Sequence, residues 1–254
     1  MSIQTELTRI TNAKTAIKTA IEGKGVTVPS GTKLDGMAAL IEAIQAGGGG
    51  TSVEDGLIDG TITECINNRV TNVRIYAFQG LKKLAKVDLP AATKINDYAF
   101  NGCNAMTTVN LPAATSIGNS AFNGCTALTT VNLPAATSIG NNACSACTAL
   151  TTVNLPAATK INDYAFNGCN AMTKVDLYAA TSIGKRAFYN CKKLKSIIIR
   201  SETMCTLSDT DAFTNTPGTS HIYVPSALLE SYRAATNWSN YAARFRAIED
   251  YPGI

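Results

Sequence analysis

A strict 22-residue period is the feature that most constrains what this chain can fold into. Five consecutive segments align without gaps: residues 86–107, 108–129, 130–151, 152–173 and 174–195. Residues 89–107 also recur unchanged as residues 155–173, three periods later. A period of roughly 20 to 50 residues indicates stacked units, because one unit alone cannot bury its apolar face. The period therefore predicts a solenoid, with less regular coils at 73–84 and 196–219.

Apolar residues at fixed positions of the period predict the core of this solenoid. The ladders are Val87, Val109, Val131, Val153, Val175 and Ile197; Leu89, Leu111, Leu133, Leu155, Leu177 and Ile199; Ile95 to Ile183; and Phe78, Phe100, Phe122, Cys144, Phe166 and Phe188. Stacking places each residue on its copy in the next coil, so the ladders form one continuous core.

The Val-x-Leu segment alternates apolar and polar residues, which predicts a short strand. Proline ends this strand at residues 90, 112, 134 and 156, because it removes a backbone donor. The stacked strands predict a parallel sheet whose outward positions we call the Thr/Asn face. These positions are Lys86, Asp88, Thr108, Asn110, Thr130, Asn132, Thr152, Asn154, Lys174, Asp176, Ser196 and Ile198.

Charge and hydropathy limit the possible partners. The formal net charge is only +4, and no charged residue lies between Tyr98 and Thr159, which argues against nucleic acid and favours neutral ligands. No uncharged apolar run approaches the ~20 residues that a bilayer span needs. The first 25 residues have no apolar core of the kind that a secretory signal requires, so we expect no such signal.

The two ends differ from the repeats. Residues 1–46 are predicted to form a helical arm for attachment or homo-oligomerisation, because Ile3, Leu7, Ile10, Ile17 and Ile21 form a coiled-coil-like seam. Residues 47–55 form a glycine-rich linker, residues 56–219 the solenoid, and residues 220–254 a C-terminal cap. In the cap, the sequence predicts a strand at His221 to Val224 and a helix that begins at Pro225. Apolar residues then recur at helical spacing through Phe245, with an interruption near Thr236.

The recurring pattern L-x-x-V-x-L-P followed by S-I-G-x-x-A-F-x-x-C resembles the BspA-type leucine-rich repeats of bacterial surface proteins, over about residues 57–250. The resemblance implies a leucine-rich-repeat solenoid with its strands on the concave side and short turns or strands on the other. It also implies an adhesin or interaction module, and it supplies no catalytic residues. The arm, with V-P-S-G-T-K-L-D-G-M between its helices, resembles the starts of some phage and prophage tail-associated proteins.

Reactive residues are few, and most have a structural interpretation. Cys103, Cys125, Cys147, Cys169 and Cys191 share one coil position, which predicts buried free thiols pointing the same way. The alternatives are disulfides between neighbouring copies, for which the parallel side chains are poorly directed, and a zinc site at Cys144, Cys147, Cys125 and Cys169. The single histidine, His221, has no evident catalytic partner, and Trp238 is interpreted as packing. A basic group on the last full coil comprises Lys185, Arg186, Lys192, Lys193 and Lys195.

The sequence therefore predicts a non-enzymatic recognition module that needs no cofactor or metal. Its partner is a protein or glycan on a cell surface, and its location is extracellular or virion-associated. The predicted binding residues are Thr108, Asn110, Thr130, Asn132, Thr152, Asn154, Lys174 and Asp176. The alternative is a structural spacer in a virion or cell envelope. Two weaker hypotheses are an enzyme and an ice-binding protein, the second because of the regular row of threonines.

Overall fold

Each period forms one coil that contributes a short strand to each of two parallel sheets. The computed structural model describes residues 63–253, so the predicted arm and linker lie outside the described residues. In chain order the strands are β1 (Glu64–Ile66), β2 (Asn72–Val73), β3 (Lys86–Asp88), β4 (Lys94–Ile95), β5 (Thr108–Asn110), β6 (Ser116–Ile117), β7 (Thr130–Asn132), β8 (Ser138–Ile139), β9 (Thr152–Asn154), β10 (Lys160–Ile161), β11 (Lys174–Leu177), β12 (Ser182–Ile183), β13 (Ser196–Ile199), β14 (Thr206–Leu207), β15 (His221–Val224) and β16 (Phe245–Ala247).

The register of both sheets follows the sequence period. In the first sheet, Val109 pairs with Val131, and in the second Ile117 pairs with Ile139. The second sheet runs without interruption from β2 to β14 through the even-numbered strands. The first sheet has two hydrogen-bonded parts, β1-β3-β5-β7-β9 and β11-β13-β15-β16, so its ladder is divided between β9 and β11.

The predicted ladders form the core. Their members are buried, apart from the partly buried Phe78 and Val153, and they belong to one continuous cluster. The phenylalanine rings stack, with centroids 5.4 Å apart for Phe100 and Phe122, and again 5.4 Å apart for Phe166 and Phe188. Cys144 interrupts this stack between Phe122 and Phe166 and is itself 1% exposed.

The third side of each coil is a tight turn through the Ala-Phe segment rather than a helix. Its backbone N–H groups bond to the next coil, as when Phe100 N donates to Ala121 O at 2.8 Å. Two residues in each of the five full coils adopt the left-handed conformation, such as Tyr98 at φ 57° and Gly102 at φ 73°. Stacking therefore hydrogen-bonds the backbone on all three sides of the coil.

The C-terminal cap begins as predicted and ends differently. Pro225 precedes a 3-10 turn at Ser226–Leu228 and the helix α1 (Leu229–Ala234), and a second 3-10 segment covers Trp238–Arg244. The helical spacing through Phe245 was misleading, because Phe245 begins β16, which pairs in parallel with β15. The fully buried Phe245 ring packs with Tyr232 and Trp238, so core packing explains its apolar character without a helix.

Candidate functional site

The centre of the Thr/Asn face carries a row of exposed threonine hydroxyls that the fold does not use. Thr108, Thr130 and Thr152 are exposed and are register partners in adjacent strands. The threonine that precedes each of them donates its Oγ1 to a backbone carbonyl one coil back, at 3.1–3.2 Å. Among the described residues, the one hydrogen-bonding approach to the outward row joins the hydroxyls of Thr151 and Thr152 at 3.5 Å. In each pair of neighbouring threonines, the first hydroxyl is therefore bonded within the fold and the second is available to a ligand.

The asparagine row beside it is ordered in pairs. Asn110 Nδ2 donates to Asp88 Oδ1 at 2.9 Å, and Asn154 Nδ2 donates to Asn132 Oδ1 at 2.7 Å. These bonds hold the amides in place and leave polar atoms of each pair available, so little side-chain entropy remains to be lost when a ligand binds. The six predicted Thr and Asn residues therefore form one surface without charged side chains, in which the asparagines are pre-ordered.

The two charged residues predicted at the end of this surface have partners within the fold. Asp176 accepts a forked pair of hydrogen bonds from Arg200, with Nε 3.0 Å from Oδ1 and Nη2 3.0 Å from Oδ2. The pKa of the Arg200 guanidinium is raised, first by this bond to Asp176. Lys174 Nζ lies 5.0 Å from the centroid of the Tyr251 ring, within cation–π range.

Residues near the C-terminus cover part of the same face. The Tyr251 ring contacts the Tyr223 ring at 4.9 Å and also lies beside Lys174, which is two strands away in the sheet. Ile198 belongs to the strand between them and was expected to be exposed as part of the Thr/Asn face. It is fully buried, and its strand lies between the strands of Lys174 and Tyr223, the two residues beside which the Tyr251 ring lies.

Sequence reasoning missed Tyr178 and Arg200, which stand next to this covered region. Each follows its strand at the position where the four coils from residue 86 to residue 173 have proline. Leu177 and Ile199 are register partners, so Tyr178 and Arg200 are neighbours in adjacent coils. Tyr178 is 60% exposed, the highest value among the large hydrophobic residues of the described chain. The break in the proline column was the signal that could have identified both.

The cysteine column is structural. Each ladder thiol is buried and points the same way, as when Cys125 Sγ approaches Phe100 O at 3.2 Å and Cys147 Sγ approaches Phe122 O at 3.1 Å. Burial raises the pKa of Cys103 and Cys191 to about 12 and that of Cys169 well above its ordinary value. Within residues 63–253, no group of three or more potential ligands is placed to hold a metal ion.

The other candidates also have structural partners. Trp238 is 1% exposed and donates Nε1 to the Cys205 carbonyl at 2.7 Å, which agrees with a packing role. His221 packs against Tyr223 at 6.0 Å between ring centroids. The basic group is divided: Arg186 pairs with Asp211 at 2.6 Å and Lys185 with Asp209 at 3.6 Å. The remaining three, Lys192, Lys193 and Lys195, are exposed.

Parallel coils, paired short strands and stacked apolar ladders define a leucine-rich-repeat solenoid. A profile described as the BspA type leucine rich repeat region matches this chain in six copies, over residues 61–173 and 159–240. The chain therefore belongs to the BspA-type leucine-rich repeat family. In a comparison with curated proteins, nothing matches significantly. None of the helices in the described part has the length and apolar character needed to cross a bilayer.

The comparison with solved structures gives matches at low sequence identity. A leucine-rich repeat protein from T. pallidum is 24% identical, with a TM-score of 0.50 over 65% of this chain and 76% of that one. A leucine-rich repeat protein from Bacteroides ovatus is 23% identical, with a TM-score of 0.40 over 66% of this chain and 57% of that one. A leucine rich cell surface protein from Faecalibacterium prausnitzii is 20% identical, with a TM-score of 0.44 over 74% and 63% respectively. This chain thus spans less than two thirds of the last two proteins.

Proposed function

We propose that this solenoid is a non-enzymatic recognition module whose Thr/Asn face binds a protein or glycan on a cell surface. The observation that carries the proposal is the row of exposed hydroxyls at Thr108, Thr130 and Thr152, which make no coil-to-coil bonds. Family membership supports it, because BspA-type repeats commonly occur in adhesins and interaction modules. Residues 1–46 would then attach or oligomerise the module.

The face also has the physical properties that binding requires. The centre of the face is uncharged, so a ligand that binds there does not desolvate an ionic group. Its asparagines are held in pairs at Asn110 and at Asn132 with Asn154, which lowers the entropy lost on binding. The inward Val and Leu side chains are occupied by the core. Outward side chains can therefore specify a ligand without changing the fold.

A double substitution at the centre of the face tests this function. Thr130→Arg with Asn132→Glu introduces large charges there, and stability should change by only about ±0.5 kcal/mol because no core contact is lost. We expect the labelled full-length variant to lose binding to intact bacterial or epithelial cells. The matched control, Lys193→Glu with Lys195→Glu, should retain most binding. If the control loses binding while the Thr130 and Asn132 variant keeps it, recognition lies on the basic flank instead.

A structural spacer is the second candidate function. The unchanged recurrence of residues 89–107 at 155–173 favours it, because such duplication adds length without altering the surface type. A spacer needs no ligand, so the absence of any micromolar partner on cells would favour it over recognition. A place in a phage tail is a further proposal for the setting of either function, and tail genes on both sides of this gene are the outcome it expects.

A further inference from the structure

We infer that the C-terminal end of the Thr/Asn face is a subsite for a carboxylate-bearing sugar, held between the ring of Tyr178 and the free edge of the Arg200 guanidinium. The inference rests on the proposed recognition function and names the ligand chemistry for one end of the same face. It concerns the two coils in which the proline column is replaced by Tyr178 and Arg200.

Arg200 presents a pre-ordered donor edge. Asp176 occupies the Nε and Nη2 side of the guanidinium through bonds of 3.0–3.1 Å. Among the described residues, Nη1 makes no hydrogen bond, so Nη1 and the second N–H of Nη2 remain for a ligand. The Arg200 side chain is 28% exposed, so part of it is accessible to a ligand. A guanidinium already fixed by one carboxylate can bind a second carboxylate in the same forked geometry at little entropic cost.

Tyr178 supplies an exposed aromatic surface next to that edge. Tyr178 comes directly after β11 in the sequence and Arg200 directly after β13. Paired parallel strands such as these are ~4.8 Å apart. The face of an aromatic ring is electronegative and attracts the weakly positive C–H groups on the apolar side of a sugar ring. A sugar acid stacked on Tyr178 can therefore direct its carboxylate to Arg200.

The surrounding charge and surface favour a sugar acid over a protein segment. The forked pair of Arg200 and Asp176 is neutral as a unit, and Lys174 supplies a positive charge on the same coil as Asp176 that can attract an anion. The adjoining surface consists of the hydroxyl and amide groups of Thr152 and Asn154, which match sugar hydroxyls. Protein hot spots also use Tyr and Arg, but they lie in well-packed, desolvated pockets, whereas Tyr178 is 60% exposed. Of the exposed large hydrophobic residues in the described chain, Tyr178 alone lies at this end.

The test measures binding of defined sugars to the full-length protein by calorimetry or ligand-observed NMR. The acidic probes are 3′-sialyllactose and trigalacturonate; the matched neutral probe is lactose, and acetate tests for a free carboxylate alone. We expect saturable binding of at least one acidic sugar and none of lactose or acetate. Arg200→Lys keeps an ion pair with Asp176 but loses the forked edge, and should weaken binding about tenfold.

Tyr178→Pro is the second variant, because it restores the residue found in four other coils and is expected to fold. It should also weaken binding about tenfold. The control Tyr76→Ala removes another exposed tyrosine, 48% exposed at the opposite end, and should bind normally. Equal binding of lactose, no binding of either acid at millimolar concentration, or unchanged affinity in both variants overturns the inference.

These results are separable from failure of the recognition function itself. If no acidic sugar binds but the Thr130 and Asn132 variant still loses cell binding, the recognition function stands and the sugar assignment is wrong. If Tyr178→Pro loses cell binding without any sugar binding, this end contacts a protein, and the sugar assignment is again wrong.

Discussion

The phenolic oxygen of Tyr232 accepts a hydrogen bond from the backbone N–H of Cys205 at 2.9 Å, which joins the cap helix to the last repeat coil. Trp238 Nε1 donates to the carbonyl of the same Cys205 at 2.7 Å. The hydroxyl of Tyr241 likewise accepts the backbone N–H of Phe213 at 3.2 Å. The cap thus satisfies backbone groups of the final coils that another repeat would otherwise satisfy.

This relationship predicts the effect of removing one hydroxyl. Tyr232→Phe leaves the buried N–H of Cys205 without a partner, which should lower the free energy of unfolding by about 1–3 kcal/mol. Urea denaturation of both proteins measures the difference. Tyr178→Phe removes the hydroxyl of an exposed tyrosine and should leave stability within about 0.5 kcal/mol of the parent. Equal stability of Tyr232→Phe and the parent would show that water replaces the bond.

A substitution in the aromatic stack should stabilise the solenoid. Cys144 occupies the position at which the coils on both sides carry Phe122 and Phe166, so a smaller side chain interrupts the ring stack. Cys144→Phe should raise the melting temperature by about 2–4 °C for each kcal/mol gained. Cys125→Phe serves as the control, since it adds volume at a fully buried position in the thiol column and should destabilise. A lowered melting temperature for Cys144→Phe would mean that the neighbouring coils have closed in.

The thiol column predicts a loss of stability at alkaline pH. Burial raises the pKa of Cys103 and Cys191 to about 12 in the folded chain, against an ordinary value of 9.0. Above pH 9 the unfolded chain therefore binds fewer protons than the folded one, so unfolding becomes more favourable as pH rises toward 12. Denaturation at pH 7, 9 and 10.5 measures the slope. Replacing Cys103 and Cys191 by Ala should reduce this slope, and an unchanged slope would assign it to other groups.

The N-terminal arm remains a prediction from its sequence. An isolated amphipathic helix of this length is marginal in water, so residues 3–21 are expected to pack against the following segment or against copies of themselves. We predict that the full-length protein self-associates and that removing residues 1–46 yields monomers. Light scattering coupled to size exclusion gives both masses. Monomeric mass for both proteins would exclude this role of the arm.

The stacked part of the molecule was predictable, because a fixed period places every residue on its own copy. Val109 and Val131 pair because they are 22 residues apart, and the ladder Phe and Cys residues follow the same rule. The period also placed Thr130 and Asn132 on the outside. It could not show which hydroxyls the fold uses, because Thr129 and Thr130 are adjacent threonines and only the folded geometry shows that Thr129 Oγ1 bonds to a carbonyl of the preceding coil.

The contacts outside the period depended on the tertiary structure. Tyr251 lies beside both Lys174 and Tyr223, whose strands flank that of the buried Ile198, although nothing in the sequence spacing links these residues. Arg200 pairs with Asp176, which lies one coil and two positions earlier, and no other coil between residues 63 and 253 has an Arg–Asp pair at these positions. Such contacts form once between side chains distant in sequence, so only the folded geometry brings them together. The sequence alone therefore determined the repeating core, and the tertiary structure decided where the chain's end closes over the Thr/Asn face.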